Sequence, residues 1–129
     1  MGISVLLVDD SETIRKCVIN CLVEETDIKI VGEASGCVEA IKLMQALKPQ
    51  IVLMDMHLPD STVTRNAQLV SLLNLHFAQL IAISVYVDDE TTQMACNLGA
   101  IRLLDKMNLL SELAPAIREV AVLPLGIAS

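Results

Sequence analysis

Five short, almost wholly apolar runs punctuate the chain, at residues 3–8, 28–34, 51–54, 80–85 and 101–105. Each has the length of a β-strand, and runs apolar on both sides are the mark of parallel strands covered by helices on both faces. The stretches between them carry helical spacing. Ile14, Cys17, Val18, Cys21 and Leu22 form a stripe across 12–25, with Ser11 available as N-cap. Gly36 leads into a helix with Ala40, Ile41, Met44 and Leu47 on one face, closed by Lys48-Pro49. Residues 63–75 predict a third helix with Val63, Ala67, Val70 and Leu73 facing inward. Asp88-Asp89-Glu90 open a fourth, where acids suit the N-terminal dipole; Met94, Ala95 and Leu98 are its apolar face and Gly99 its stop. The last runs from about 110 to 122, with Ser111 as N-cap, and Pro115 must lie in or just after its first turn to be tolerated. Five β-α units predict an α/β fold, a doubly wound five-stranded parallel sheet in a three-layer sandwich. Residues 1–122 form one domain, and 123–129 read as a tail or the start of a linker.

Composition narrows the function. Of 129 residues, 53% are hydrophobic but only 2% aromatic, namely Phe77 and Tyr86. The core must be aliphatic, and a stacking platform for single-stranded nucleic acid is excluded. Nine basic against sixteen acidic side chains give a net charge of −7, which repels phosphate backbones. No direct nucleic-acid contact is expected, and no helix-turn-helix fits after residue 122. Cys17, Cys21, Cys37 and Cys96 include no CxxC pair and read as reduced, mostly buried thiols of a reducing, cytoplasmic compartment. No apolar run approaches the length of a membrane span, and the N-terminus does not read as a signal peptide.

In a doubly wound sheet, sites form at the carboxyl ends of the strands. Here the first strand ends in Asp9-Asp10, the third in Asp55, the fourth in Ser84 and the fifth at Lys106. Three carboxylates brought together need a counter-charge. Oxygen-only ligands suit a hard cation such as Mg²⁺, which keeps waters and binds phosphate oxygens. Lys106 adds an ammonium and Ser84 a hydroxyl donor, so the set describes a pocket for a phosphoryl group, with a carboxylate available as nucleophile.

Asp9-Asp10, the run Ile-Val-Leu-Met-Asp55-Met-His-Leu-Pro59-Asp, Ser84 and Leu-Leu-Asp-Lys106 together resemble the receiver domain of two-component response regulators. The likeness covers residues 3 to about 122. It implies a flavodoxin-like fold with strand order 2-1-3-4-5. It implies Asp55 as acceptor of a phosphoryl group from a sensor histidine kinase or phosphotransfer protein. Mg²⁺ (or Mn²⁺) would be held by Asp10 directly, by Asp9 largely through water, by Asp55 and by the backbone carbonyl of His57. Ser84 matches the switch hydroxyl and Lys106 the phosphate partner. Such a domain is a signalling switch with self-catalysed phosphotransfer and slow autodephosphorylation, not a metabolic enzyme. Its output passes through the fourth helix, fifth strand and fifth helix to a second copy or an output domain; the chain reads either as a free-standing regulator or, since its Ala116-Ile117-Arg118-Glu119-Val120 ending resembles receivers that precede a DNA-binding module, as the regulatory part of a transcriptional regulator.

The sequence departs from the family pattern at several places. Leu103 stands where an aromatic is frequent, Met107 where a proline commonly follows the lysine, Val85 where a small residue is usual, and Arg102 where glycine is common. The loop after Pro59 lacks the frequent glycine. These changes leave every chemical residue in place and point to altered output. They also motivate an alternative, a pseudo-receiver acting as a constitutive protein-interaction module. A flavin-binding relative of the same fold is disfavoured, because Asp-Asp-Ser-Glu after the first strand repels phosphate. Taken singly, Asp9 and Asp10 would read as helix caps, Lys106 as a solvated charge and Ser84 as a small strand residue. His57 lacks a His or Cys partner and reads as a loop side chain that tunes phosphate lifetime. Tyr86 reads as a ring at the pocket rim that shields the phosphate, His76 as a residue at a helix end, and Met44, Met54, Met56 and Met94 as core or near-core fillers.

Overall fold

The structure, a computed structural model, describes residues 2–123. Five strands, β1 (Ile3–Val8), β2 (Ile28–Ala34), β3 (Ile51–Asp55), β4 (Gln79–Ser84) and β5 (Ala100–Asp105), alternate with α1 (Glu12–Leu22), α2 (Cys37–Leu47), α3 (Val63–Leu75), α4 (Asp89–Asn97) and α5 (Leu109–Ala121). The strands form one parallel sheet in the order β2-β1-β3-β4-β5. The expected segment 123–129 falls outside the described residues from 124 onward. No helix among the described residues is long and apolar enough to cross a membrane.

The strand pleat divides the core in two. Leu6, Val8, Val52, Met54, Leu80 and Ala82 point to one face, where they meet Ala40, Ile41 and Met44 of α2, Leu69, Leu72 and Leu73 of α3, and Ala95 of α4. The alternate residues, Val5, Leu7, Ile51, Leu53, Ile81 and Ile83, meet Val18 and Leu22 of α1 and Leu113, Ala116, Ile117 and Val120 of α5. Period-two alternation with both faces apolar thus explains the continuous hydrophobic runs.

Helix ends follow local chemistry. Ser11 caps α1 by accepting from the Ile14 amide at 3.2 Å, Thr62 caps α3 from Arg65 at 3.1 Å, and Asp88 caps α4 from Thr91 at 2.8 Å. Lys48, in the left-handed region at φ 46°, ends α2 before Pro49, and Gly99 at φ +84° ends the turn after α4.

Several expectations need correction. α3 turns Leu69, Leu72 and Leu73 inward, whereas Val63 is 88% exposed and Ala67 is exposed. The residues 63, 67 and 70 form a second apolar stripe, and α3 docks by its richer leucine edge. The second stripe instead borders a groove of about 360 Å³ with Met94 and Leu98. Among the thiols only Cys37 is buried; Cys21 is half-buried, and Cys17 and Cys96 are exposed. α1 presents its Val18–Leu22 edge to the sheet, which leaves Cys17 at the rim. Leu47 and Met94 are also partly exposed. α1 stops at Leu22 instead of 25, and β4 stops at Ser84, leaving Val85 beyond it. α5 begins after Asn108, whose side chain makes no capping bond, and Ser111 is not the cap: its hydroxyl lies within the first turn and donates to the Asn108 carbonyl at 3.2 Å. The helix runs on through Pro115, in its second turn. The missing amide leaves only the Ser111 carbonyl without its helical donor, and both residues are exposed to solvent.

Candidate functional site

Parallel strands end together, so the polar residues that terminate β1, β3, β4 and β5 converge on one edge of the sheet. Asp9 follows β1 directly and is completely buried. Its Oδ1 accepts from the Ser11 amide at 2.8 Å, and its backbone carbonyl accepts from Arg15 Nη1 at 2.6 Å. Its Oδ2 finds no aligned hydrogen-bond donor and has only an ionic neighbour, the Lys106 ammonium at 2.6 Å. Asp10, one residue on, is exposed.

Asp55 is the last residue of β3 and is 5% exposed. Its Oδ1 accepts from the His57 amide at 3.2 Å, and its Oδ2 lies 3.4 Å from Lys106 Nζ. The Met56 amide donates to the Ile83 carbonyl at 3.1 Å, so the chain leaves β3 still tied to β4. Ser84 ends β4 fully buried, and its Oγ accepts from the Tyr86 amide at 3.0 Å, which leaves its hydrogen free to donate. Lys106 follows β5, and its side chain is 8% exposed.

Asp9, Asp10 and Asp55 each offer an oxygen within 4.8 Å of the others. One ammonium cannot neutralise three carboxylates. Burial accordingly pushes the Asp55 carboxyl above the ordinary carboxylate range; Lys106 and the His57 amide oppose the rise, and Asp9 adds to it. An excess of negative charge and an all-oxygen ligand set fit a hard divalent cation.

The rings of His57 and Tyr86 meet edge to face, with centroids 5.8 Å apart. Tyr86 is 61% exposed, and its amide is the donor to Ser84 Oγ. Val85, Val87 and Met107 are exposed around the same strand ends, while Leu103 is half-buried and packs into the core on the α2–α4 face. Sequence reasoning missed two contributors. Arg15 braces Asp9 from α1, and Asp60 reaches from the β3–α3 loop to the N-terminus of α2. The signal for Asp60 was there: Gly36 starts a helix without a capping side chain of its own.

The comparisons agree with the geometry. Residues 5–118 match the response regulator receiver domain model, and the chain belongs to that family. The transcriptional regulatory protein LiaR of Bacillus subtilis is 30% identical over 116 residues, which cover 90% of this chain and 54% of that protein. The chain spans about half the length of the curated relatives it matches. Among solved structures, the response regulator domain of Thermotoga maritima CheB superposes with a TM-score of 0.82 at 24% identity, covering 96% of this chain and 99% of that one. The receiver domain of a NarL regulator from Mycobacterium tuberculosis gives 0.81 at 24% identity, covering 93% and 96%. The constitutive-module alternative gains no support, since the full set of strand-end groups is present and assembled.

Proposed function

We propose that Asp55 accepts a phosphoryl group, with Mg²⁺ or Mn²⁺ held by Asp9, Asp10, Asp55 and the His57 carbonyl. The observation that carries this reading is the convergence of three carboxylates and the buried Lys106 ammonium on one sheet edge. An Asp55 oxygen attacks phosphorus in line with the donor nitrogen. The new P–O bond forms as the P–N bond breaks, and the electron pair leaves on the donor imidazole, which takes up a proton. The bound cation supplies charge neutralisation for the transferring oxygens. Lys106 pairs with a phosphate oxygen, and Ser84 donates its free hydroxyl hydrogen to another. Tyr86 and His57 at the mouth restrict water and so slow hydrolysis of the acylphosphate. The chemistry is self-catalysed phosphotransfer followed by slow autodephosphorylation.

The donor is a sensor histidine kinase or phosphotransfer protein in the cytoplasm. Residues 1–122 act as the receiver, and 123–129 serve as a C-terminal tail or the start of a linker. Phosphorylation favours one of two conformations of the α4-β5-α5 face, which then binds a second copy or an output domain of a transcriptional regulator. Support comes from the exposed Leu110 on α5 and from the greater length of the relatives. Acetyl phosphate or beryllofluoride with Mg²⁺ tests the reading. The native chain should gain the phosphoryl mass and shift its amide spectrum, and Asp55→Asn should do neither. Identical mass and spectra for the two would sink it.

A further inference from the structure

Asp60 stands outside the acidic cluster yet ties the loop that follows Asp55 to a distant helix. Its Oδ1 accepts from the Cys37 amide at 2.7 Å and its Oδ2 from the Val38 amide at 3.1 Å. These are the first two amides of α2, which have no partner inside the helix and favour negative charge. The same bonds hold the Asp60 carboxyl below the usual carboxylate range. The fit is close: a Cβ on Gly36 would lie 2.8 Å from both carboxylate oxygens. The Asp60 backbone is pinned too, its carbonyl accepting from Arg65 Nη1 at 2.8 Å. At the other end of the loop, the Met56 amide is bonded to Ile83 and the His57 amide to Asp55 Oδ1. The segment from Asp55 to Asp60 is therefore fastened at both ends, with His57 between the fastenings.

We infer that Asp60 is a positioning residue for the cation and phosphoryl site, locking the β3–α3 loop onto the α2 N-terminus so that the His57 carbonyl and the Asp55 carboxylate are held for ligation. The inference rests on the roles proposed above for Asp55 and His57. Capping alone would be served by Ser, Asn or Asp at position 36. In this chain the cap comes instead from the loop that carries the acceptor, and position 36 is glycine with the carboxylate in the space a side chain would fill. The stability of α2 and the geometry of the site thereby depend on one side chain.

The test measures Mg²⁺ affinity by amide-detected titration, alongside urea unfolding, for wild type, Asp60→Asn, Asp60→Ala, Gly36→Ala and Arg118→Ala. Gly36→Ala disturbs the same contact from the opposite side. Arg118→Ala is the control, because Arg118 pairs with Glu25 and Asp27 in the α1–β2 loop, at the other end of the strands. Removing a residue that orients a metal ligand typically weakens binding about tenfold or more. Asp60→Ala and Gly36→Ala should therefore lose about tenfold in Mg²⁺ affinity, with Asp60→Asn in between and Arg118→Ala unchanged. Affinity within about twofold of wild type in Asp60→Ala, together with lowered stability, would show a plain helix cap and overturn the proposal. Loss of affinity in Arg118→Ala in proportion to its stability would overturn it as well. A wild-type chain that binds no Mg²⁺ overturns the reading of the site itself, and this proposal with it.

Discussion

Lys106 Nζ lies 2.6 Å from Asp9 Oδ2, with the lysine side chain 8% exposed and the aspartate completely buried. The contact joins the end of β5 to the end of β1, two strands that are not neighbours in the sheet. It places a positive charge inside an acidic cluster that would otherwise repel itself.

Breaking that pair leaves a buried carboxylate without a counter-charge. Lys106→Ala should lose about 3 kcal/mol of stability in the absence of divalent cations. Mg²⁺ should restore part of the loss, because it supplies positive charge to the same oxygens, and should stabilise the variant more than the wild type. Urea unfolding with and without Mg²⁺ measures both effects. Equal Mg²⁺ stabilisation of the two proteins would count against the shared site.

Asp55 titrates with the opposite sign to a paired surface carboxylate. Burial raises its folded-state pKa above the unfolded value of 3.8. Between those two values the native state binds more protons than the unfolded state, so stability falls as pH rises through the window. The penalty is absent below the unfolded pKa and grows as pH rises toward the folded one. Asp55→Asn should therefore be more stable than wild type at pH 7 without Mg²⁺, and the advantage should fade as pH falls. Unfolding curves across this range check the sign, and the same variant should take up no phosphoryl group from acetyl phosphate.

Arg118 makes the reverse case. Its hydrogen bonds hold the Asp27 carboxyl below its ordinary range. The folded pKa is depressed, so this stabilisation is present above the unfolded pKa and lost as pH falls through the folded value. Arg118→Ala should be less stable than wild type at pH 7, with the difference shrinking in acid. A difference that stayed constant from neutral to acid pH would show that the guanidinium acts by packing alone.

Two leucines three positions apart in α5 should behave quite differently. Leu113 is fully buried between the sheet and α1, and Leu113→Ala should cost about 3 kcal/mol by leaving a cavity. Leu110 is 87% exposed, and Leu110→Ala should change the stability of the isolated chain by no more than about 0.5 kcal/mol. Any larger effect of Leu110→Ala should appear only in self-association or output binding, read by sedimentation with and without beryllofluoride.

Much of the fold was legible because its signals are local. β1 and β2 have the predicted limits, and α3 likewise. Ser11, Asp88 and Gly99 act where their chemistry places them. Asp9, Asp55, Ser84 and Lys106 were legible for a related reason: parallel strands of one sheet end on one side, so residues at strand ends are neighbours whatever the details of packing.

What depends on how separate segments dock could not be read along the chain. Val63, Ala67 and Val70 make one apolar stripe at helical spacing and Leu69, Leu72 and Leu73 another, and only the seating of α3 against α2 and the sheet chose the leucines. Cys17 and Val18 are adjacent, and the tilt of α1 buried one and exposed the other. The pairing of Lys106 with Asp9 and the reach of Asp60 to α2 join segments far apart in sequence. Residue periodicity carries the identity of an element and the residue at its end, since both follow from backbone geometry over a few positions. Which carboxylate is sealed beside the ammonium, and which loop caps which helix, are set by distances across the core, and those exist only once the sheet has closed and the helices have packed.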